Sequence, residues 1–149
     1  MISVGIPTEE HVLQVMGDIR EDDLREWWAG TGIPFEEAIH NLFENLDEDD
    51  LIRYAYDEEG TPLCFWGCSD GCLWLFATNS AYSRAIEIHR NLKPELANIE
   101  ALWSRLSATA DARNLEHHKW LGWLGFEKLT TISVGPFNMD FIVFVKETR

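Results

Sequence analysis

The dipeptide Asp70-Gly71 stands between two runs of β-favouring residues, and this arrangement strongly constrains how the chain can fold. The two runs are residues 63–68 and 73–78, and a third run of the same kind, residues 51–56, precedes them. Asp-Gly suits the left-handed positions of a tight two-residue turn, so the runs on either side of it are predicted to pair as a hairpin. The sequence therefore predicts a meander of three antiparallel strands.

Three helices are predicted before this meander. Thr8 is placed to cap the first, which ends near Met16, and the second runs from Glu21 to the glycine-containing segment 30–32. Pro34 suits the first position of the third helix, which has the clearest apolar face of the three.

In the second helix, Leu24, Trp27 and Trp28 recur at helical spacing and are predicted to form its apolar positions. Adjacent residues cannot share one helical face. One tryptophan of the pair is therefore expected to be partly buried or exposed at a contact surface.

After the meander, two helical segments are predicted, with apolar positions in residues 86–92 and 96–103. Pro94 suits the start of the second, because proline is tolerated in the first turn of a helix. The short run 106–110 alternates small residues and is predicted to be a strand.

The C-terminal part is predicted to hold one helix and a second hairpin. Asn114 is placed to cap the helix and Gly125 to end it. Residues 129–134 and 141–145 then read as two strands about a turn at 135–138. Helices and strands in this order predict an α/β (α+β) fold in which one sheet is flanked by helices.

Composition predicts one domain over residues 1–149, because a chain of this length with 46% hydrophobic residues builds one core. Acidic residues outnumber basic residues 26 to 12, which gives a formal net charge of −14. Phosphate backbones and anionic membranes repel such a surface, so direct binding to nucleic acid or membrane is not expected. The acidic run at residues 47–50 is interpreted as a solvated loop.

The sequence shows no membrane-spanning stretch and no signal peptide, and the expected location is the cytoplasm. The cysteines, Cys64, Cys68 and Cys72, are an odd number at even spacing, which suits neither a disulfide framework nor a complete tetrahedral metal site. They are interpreted as reduced thiols packed in adjacent strands, and no metal is expected.

The order of elements and the pattern of residues 111–126 resemble the GNAT N-acetyltransferase superfamily. The residues that carry the resemblance are Asp111-Ala112-Arg113-Asn114, His117, Trp120-Leu121, Leu124-Gly125-Phe126 and Val134-Gly135-Pro136. Within that superfamily the chain is similar to acetyltransferase-like proteins of tailed bacteriophages, a group that includes internal virion proteins. The resemblance implies a GNAT-like acyltransferase fold with a mixed, mostly antiparallel sheet, and a location in the virion or the host cytoplasm.

The resemblance also implies where acetyl-CoA would bind. Active relatives hold its pyrophosphate on a glycine-containing turn at a helix N-terminus, whose backbone N–H groups face the phosphates. The corresponding stretch here, residues 77–85, contains no glycine. The positions that the resemblance assigns to a cofactor are Phe76, Thr78, Ser80, Arg84 and Asn114.

Two further positions depart from the pattern of active relatives. Leu121 stands where relatives place a tyrosine that protonates the departing thiolate, and His117 stands where relatives have a small residue beside the cofactor arm. His117 and His118 are the candidates for a general acid or base, the alternative being partly exposed helix histidines.

Three hypotheses follow. The first is a phage-type GNAT-like protein that has lost its chemistry, binds no cofactor and acts through contacts with a virion or host protein. The second is an acetyl-CoA-dependent N-acetyltransferase with an atypical cofactor site. The third is an acidic mimic that sequesters a nucleic-acid-binding host protein.

Overall fold

A twisted sheet forms the centre of the structure, which is a computed structural model describing residues 1–46 and 51–148. The interpretation of residues 47–50 as a solvated loop lies outside the described residues. The strands are β1 (Ser3–Gly5), β2 (Leu51–Tyr56), β3 (Pro62–Ser69), β4 (Cys72–Ala77), β5 (Arg105–Asp111), β6 (Glu127–Val134) and β7 (Met139–Glu147). The helices are α1 (Glu9–Met16), α2 (Glu21–Thr31), α3 (Phe35–Glu44), α4 (Asn79–Tyr82), α5 (Ala85–Glu100) and α6 (Leu115–Trp123).

The described strands form one sheet in the order β1-β2-β3-β4-β5-β7-β6. Every neighbouring pair is antiparallel except β4 and β5, which are parallel. These two strands are in register only at Cys72 and Ser107, near the start of each strand. The sheet therefore divides in its middle, and a gap widens towards the carboxyl ends of β4 and β5.

The predicted meander of β2, β3 and β4 is confirmed. Its second turn has Asp70 at φ 50° and Gly71 at φ 78°, the left-handed pair that an Asp-Gly hairpin requires. The second hairpin, β6 and β7, is also confirmed and turns through Gly135 and Asn138, both at positive φ.

Helices cover both faces of the sheet. On one face α1 and α3 pack apolar side chains onto a cluster of aromatic residues that includes Phe65 and Phe76. On the other face the buried residues of α5 and α6 pack onto β3, β4 and β5. Among the described residues, no helix is long and apolar enough to cross a bilayer.

The described structure differs from the sequence prediction around α5. The two predicted segments form one helix, Ala85–Glu100, that contains Pro94. Pro94 lies on the solvent side of α5. Proline has no backbone N–H, and the helix carbonyl that would have accepted it can bond to water instead. The buried side chains of Leu92 and Leu96 hold the turns on either side against the core. The short N-terminal strand β1 was not predicted, and it extends the sheet by pairing with β2.

A second difference concerns α2. The helix predicted from the spacing of Leu24, Trp27 and Trp28 is present, and Trp28 is the exposed member of the tryptophan pair while Trp27 is partly buried. Leu24 is exposed as well, so these residues do not form the face that packs on the sheet. The buried residues of α2 include the carboxylates Asp23 and Glu26. The face of α2 that meets the sheet is therefore polar at its centre.

The cysteines are free thiols, as predicted, but only two of them are packed in the sheet. Cys64 and Cys68 are buried on β3, whereas Cys72 at the start of β4 is exposed. Burial raises the pKa of the Cys64 thiol to about 12, so it is protonated at neutral pH and is a poor nucleophile.

A polar cluster in the gap between two parallel strands

The gap between β4 and β5 exposes backbone N–H groups that no neighbouring strand accepts, and two carboxylates of α2 accept them. Asp23 Oδ2 accepts the N–H of Ala77 at 2.9 Å, at the end of β4. Glu26 Oε1 accepts the N–H of Asp111 at 2.5 Å, at the end of β5. One turn of α2 thus bridges the two diverging strands.

Arg20, at the N-cap position of α2, fixes this bridge. Its backbone N–H donates to the carbonyl of Ala77 at 2.9 Å, and its guanidinium donates to Asp23 Oδ1 at 3.0 Å. Both backbone groups of Ala77 are therefore bonded to the start of α2. The helix is tied to β4 through main chain and side chain at the same residue.

Asn114 links the bridge to α6. Its side-chain oxygen accepts the N–H of His117 at 3.4 Å, which caps α6 as the sequence predicts, and its amide donates to Asp23 Oδ1 at 3.0 Å. Arg20 also donates to the Asn114 oxygen at 3.4 Å. Asn114 is fully buried, and both ends of its amide are bonded within the protein.

His117 and Glu26 form a buried pair at the centre of the gap. Nδ1 of His117 lies 3.0 Å from both oxygens of Glu26, and both side chains are buried. Burial alone would lower the pKa of His117, but the carboxylate of Glu26 outweighs it, and the pKa is raised. The raised pKa favours the imidazolium form of His117, which makes an ion pair with the carboxylate of Glu26.

The pKa of Asp23 is set by effects that oppose each other. Burial raises its pKa, while Arg20 and the amide of Asn114 oppose that rise. The four side chains of Asp23, Glu26, Asn114 and His117, together with Arg20, are called the gap cluster below.

The gap cluster leaves little free volume. Behind it, between the sheet and helices α5 and α6, lies an apolar cavity of about 30 Å³, lined in part by Leu75, Trp120, Leu121 and Leu124. That is room for about two water molecules. His117 and Glu26 fill the gap itself, and the cavity behind them has no room for an acyl-pantetheine arm in this arrangement.

The predicted cofactor positions Thr78 and Ser80 lie at the start of the short helix α4. Thr78 Oγ1 donates to the carbonyl of Leu63 at 2.8 Å and accepts the N–H of Ala81 at 3.1 Å. Asp18 accepts both the hydroxyl of Ser80 at 2.7 Å and its N–H at 3.2 Å, and these hydrogen bonds lower the pKa of Asp18. A carboxylate of the chain itself thus bonds the donors that a phosphate would need.

Arg84, the third predicted position, is held by carboxylates. Its guanidinium lies 2.8 Å from Glu58 and 2.7 Å from Glu87, and it holds the pKa of Glu58 well below the usual range. Phe76, by contrast, packs on the opposite face, with ring centroids 4.8 Å from Phe35 and 5.3 Å from Phe65. The role of these residues in binding a cofactor stays a prediction.

The two candidate histidines point to different places. His117 enters the gap, whereas Nε2 of His118 lies 2.8 Å from the carbonyl oxygen of Asp111, with its ring against Phe144. The structure therefore brings one of the two, His117, together with a carboxylate that is suited to act with it in proton transfer. The alternative that the sequence left open, partly exposed helix histidines, holds for His118 but not for His117, which is buried.

Sequence reasoning missed Arg20, Asp23 and Glu26. The two carboxylates are three residues apart on α2, a spacing that places them on one helical face. Acidic residues on a helix in a strongly acidic chain are usually solvated, so the spacing alone does not mark them as buried.

A wider groove lies outside the gap, between the start of α5 and the side of α6. Its volume is about 600 Å³, and cationic groups of Arg84, Arg90 and Lys119 line it together with Glu87 and Glu116. Arg84 is already paired with carboxylates, and the ammonium of Lys119 lies 4.9 Å from the ring centre of Trp123.

A divided sheet with one parallel pair at its centre, helices on both faces and a closing helix capped by Asn114 defines the GNAT-like acyltransferase fold. This confirms the fold predicted from the sequence. An N-acetyltransferase from Staphylococcus aureus Mu50 superimposes with a TM-score of 0.75, at 16% identity, over 100% of this chain and 99% of that one.

Two other solved structures have the same fold. An aminoglycoside acetyltransferase in complex with coenzyme A has a TM-score of 0.67 at 14% identity, covering 99% of this chain and 95% of its own. Ribosomal-protein-S5-alanine acetyltransferase from Vibrio fischeri also has a TM-score of 0.67 at 14% identity, covering 99% and 93%. No family model and no curated protein sequence matches the chain. At these identities the likeness is one of fold.

Proposed function

We propose that this chain is a bacteriophage protein that has kept the GNAT fold without acetyl transfer, and that it acts through contacts with a virion or host protein. The observation that carries the proposal is the gap cluster. In an acyltransferase of this fold, the gap between the parallel strands must admit a thioester. In this chain, side chains of α2 and α6 occupy it and use its hydrogen-bonding groups.

The filled gap agrees with two sequence departures. Leu121 has no proton to give to a thiolate, and it is buried against the cavity behind the gap. His117 stands at the position of the small residue and is committed to Glu26. The acid, the channel and the phosphate cradle thus differ together, as expected for a fold kept for another use.

An exposed aromatic pair supports a role in protein contacts. Trp28 on α2 and Phe137 in the β6–β7 turn are 48% and 51% exposed, with ring centroids 5.9 Å apart. Leu24, one turn before Trp28, is also exposed. Exposed tryptophan and phenylalanine side chains in contact with each other are typical of protein interfaces.

Thermal unfolding with and without acetyl-CoA tests the loss of cofactor binding. A ligand at 100 times its dissociation constant adds about 2.7 kcal/mol to stability. For a chain of this size that free energy corresponds to a rise in melting temperature of roughly 5–10 °C. We expect no shift at millimolar acetyl-CoA, with an acetyltransferase of the same fold as positive control. A saturable shift would overturn the proposal.

The virion role has its own test. Mass spectrometry of purified particles of the source phage is expected to detect the chain in constant proportion to the capsid protein. Its absence from particles would remove the virion role and leave a host protein as the partner.

The groove beside α5 favours a second candidate, an N-acetyltransferase with an atypical cofactor site. Arg90 and Lys119 would face phosphates there, at the start of a 16-residue helix whose N-cap residue, Arg84, makes no side-chain capping bond. This candidate requires Glu26 and His117 to leave the gap. The unfolding experiment separates the two candidates, because only this one predicts a shift with acetyl-CoA.

A further inference from the structure

An open pocket lies on the face of the sheet that α1 and α3 cover. Its volume is about 430 Å³, within the range of pockets that hold small ligands. The described residues that line it belong to α2, α3, β3 and β4, and none of them is part of the gap cluster. Most of them are aromatic, namely Trp27, Phe35, Phe65, Trp74 and Phe76. This volume is called the aromatic pocket below.

The aromatic side chains form a floor and two walls. Phe35, Phe65 and Phe76 are buried, whereas Trp27 and Trp74 are partly exposed. The ring centroids of Trp27 and Trp74 lie 6.1 and 6.0 Å from that of Phe76, at interplanar angles of 68° and 49°. The two indoles are thus inclined to the buried rings, and they stand as walls of the pocket.

Both walls are held in place by the protein. The indole N–H of Trp27 donates to the carbonyl of Ile33 at 2.8 Å. The indole of Trp74 lies so close to Gly67 on β3 that a Cβ at that position would collide with it. A ligand therefore meets side chains that are already ordered, and little conformational entropy has to be lost on binding.

The lining restricts what the pocket can hold. None of the described residues that line it is charged, and apart from the indoles only Asn41 has a polar side chain. A primary ammonium group would leave N–H donors without acceptors there, which costs free energy. A quaternary ammonium group has no N–H, so its alkyl groups can contact the aromatic lining without that cost.

The charge around the pocket favours a cation. Residues 27–46 contain three glutamates and no lysine or arginine. Glu44 lies beside His40, whereas the exposed Glu37 is one turn before Asn41 on α3 and so stands near the rim of the pocket. Aromatic faces attract cations, and the formal net charge of −14 raises the local concentration of cations at the surface.

We infer that the aromatic pocket binds a small molecule that carries a quaternary ammonium group, with the alkylated nitrogen against the indoles of Trp27 and Trp74. Cation–π attraction and the burial of the alkyl groups both stabilise the complex. The inference does not depend on the proposed function, because the gap cluster takes no part in the site.

Two probes of nearly equal shape separate the effect of charge from that of size. Choline carries a trimethylammonium group, and 3,3-dimethyl-1-butanol has a neutral carbon in place of the nitrogen. Nuclear magnetic resonance titrations at constant ionic strength follow the indole N–H signals of Trp27 and Trp74. We expect saturable shifts with millimolar choline. The affinity for choline should exceed that for the alcohol about fivefold or more, which corresponds to about 1 kcal/mol of cation–π attraction.

The variant Trp74→Leu keeps an apolar side chain but removes one aromatic wall, so the two probes should then bind with similar affinity. Trp74→Phe keeps an aromatic face and should retain part of the preference for choline. Trp123→Leu is the matched control, because Trp123 is 37% exposed on α6 and does not line the pocket. That variant should bind choline like the wild type, and circular dichroism should show all three variants folded.

Five results would each overturn the inference. Three concern choline and the alcohol: the absence of saturable shifts with choline, equal affinity of the wild type for the two probes, and a preference for choline that Trp74→Leu leaves intact. The fourth is equal weakening by Trp123→Leu. The fifth is tighter binding of a peptide that carries trimethyl-lysine than of choline, which would assign the pocket to a protein side chain instead of a small molecule.

Discussion

The ion pair between Glu26 and His117 gives the sharpest test of how the gap is held. The variant Glu26→Ala removes the partner of a buried imidazolium and the acceptor of the Asp111 N–H in one change. Removing one side of a buried ion pair costs about 3–5 kcal/mol, because the remaining charge stays buried and unpaired. Domains of ordinary stability have about 5–15 kcal/mol in total, so the loss is a large fraction.

Urea unfolding at pH 6, followed by tryptophan fluorescence and circular dichroism, measures this loss. Glu21→Ala is the matched control, because Glu21 lies on the same helix with a side chain 86% exposed, and its ion pair with Arg25 is solvated. The control is expected to change the free energy of unfolding by less than about 1 kcal/mol.

A double-mutant cycle with His117→Ala isolates the pair. The cost of Glu26→Ala should be smaller when His117 is already alanine, because no imidazolium is then left without a partner. Equal costs for Glu26→Ala and Glu21→Ala, or the absence of coupling between Glu26 and His117, would refute the reasoning that the pair holds the gap closed.

Three further predictions follow from single residues. The folded-state pKa of His117 is raised, so the stabilisation from its charge is fully present below pH 6.5 and is lost as pH rises through the folded pKa. The free energy of unfolding of the wild type relative to His117→Gln should therefore fall over that pH range, as measured by urea titrations at a series of pH values. Because the pKa of Asp18 is lowered, Asp18→Asn should destabilise the protein above pH 3.8 and should lose its effect as pH falls through the folded pKa, measured as melting temperature against pH. Gly135→Ala should lower the free energy of unfolding by about 2 kcal/mol or more, because φ is 78° and the new Cβ would lie 2.1 Å from the carbonyl oxygen of Ala29. The control Gly122→Ala lies in α6 and its new Cβ meets nothing within 4 Å, so it should be neutral or stabilising in the same urea assay.

Much of the fold is predictable from the sequence because its signals are local. Thr8 and Asn114 cap their helices through bonds to residues three positions away, and Asp70-Gly71 turns the meander by its own backbone preference. Such signals need no knowledge of the rest of the chain. The same reliance on local signals explains the wrong prediction at Pro94. A local rule predicts that a new helix starts there, whereas buried leucines on both sides keep α5 continuous.

The gap cluster was not predictable in this way. Asn114 bonds to Asp23 across 91 positions, and Asp111 bonds to Glu26 across 85. Which carboxylates of α2 are buried depends on how that helix meets the divided sheet, and the sheet itself is set by pairings far apart in sequence. The sequence pointed to His117 only because the residue departs from a family pattern, and it did not reveal the partner.

The gap explains why the departures at these positions come together. A sheet whose central strands diverge leaves backbone N–H groups without strand partners, and buried donors need an acceptor. Asp23 and Glu26 are the acceptors of these groups in this chain. Glu26 buried alone would carry an unpaired charge, and His117 neutralises it. A small residue at position 117 would therefore leave Glu26 buried without a cation, so the energetic effects of changes at position 117 and at Glu26 are expected to be coupled.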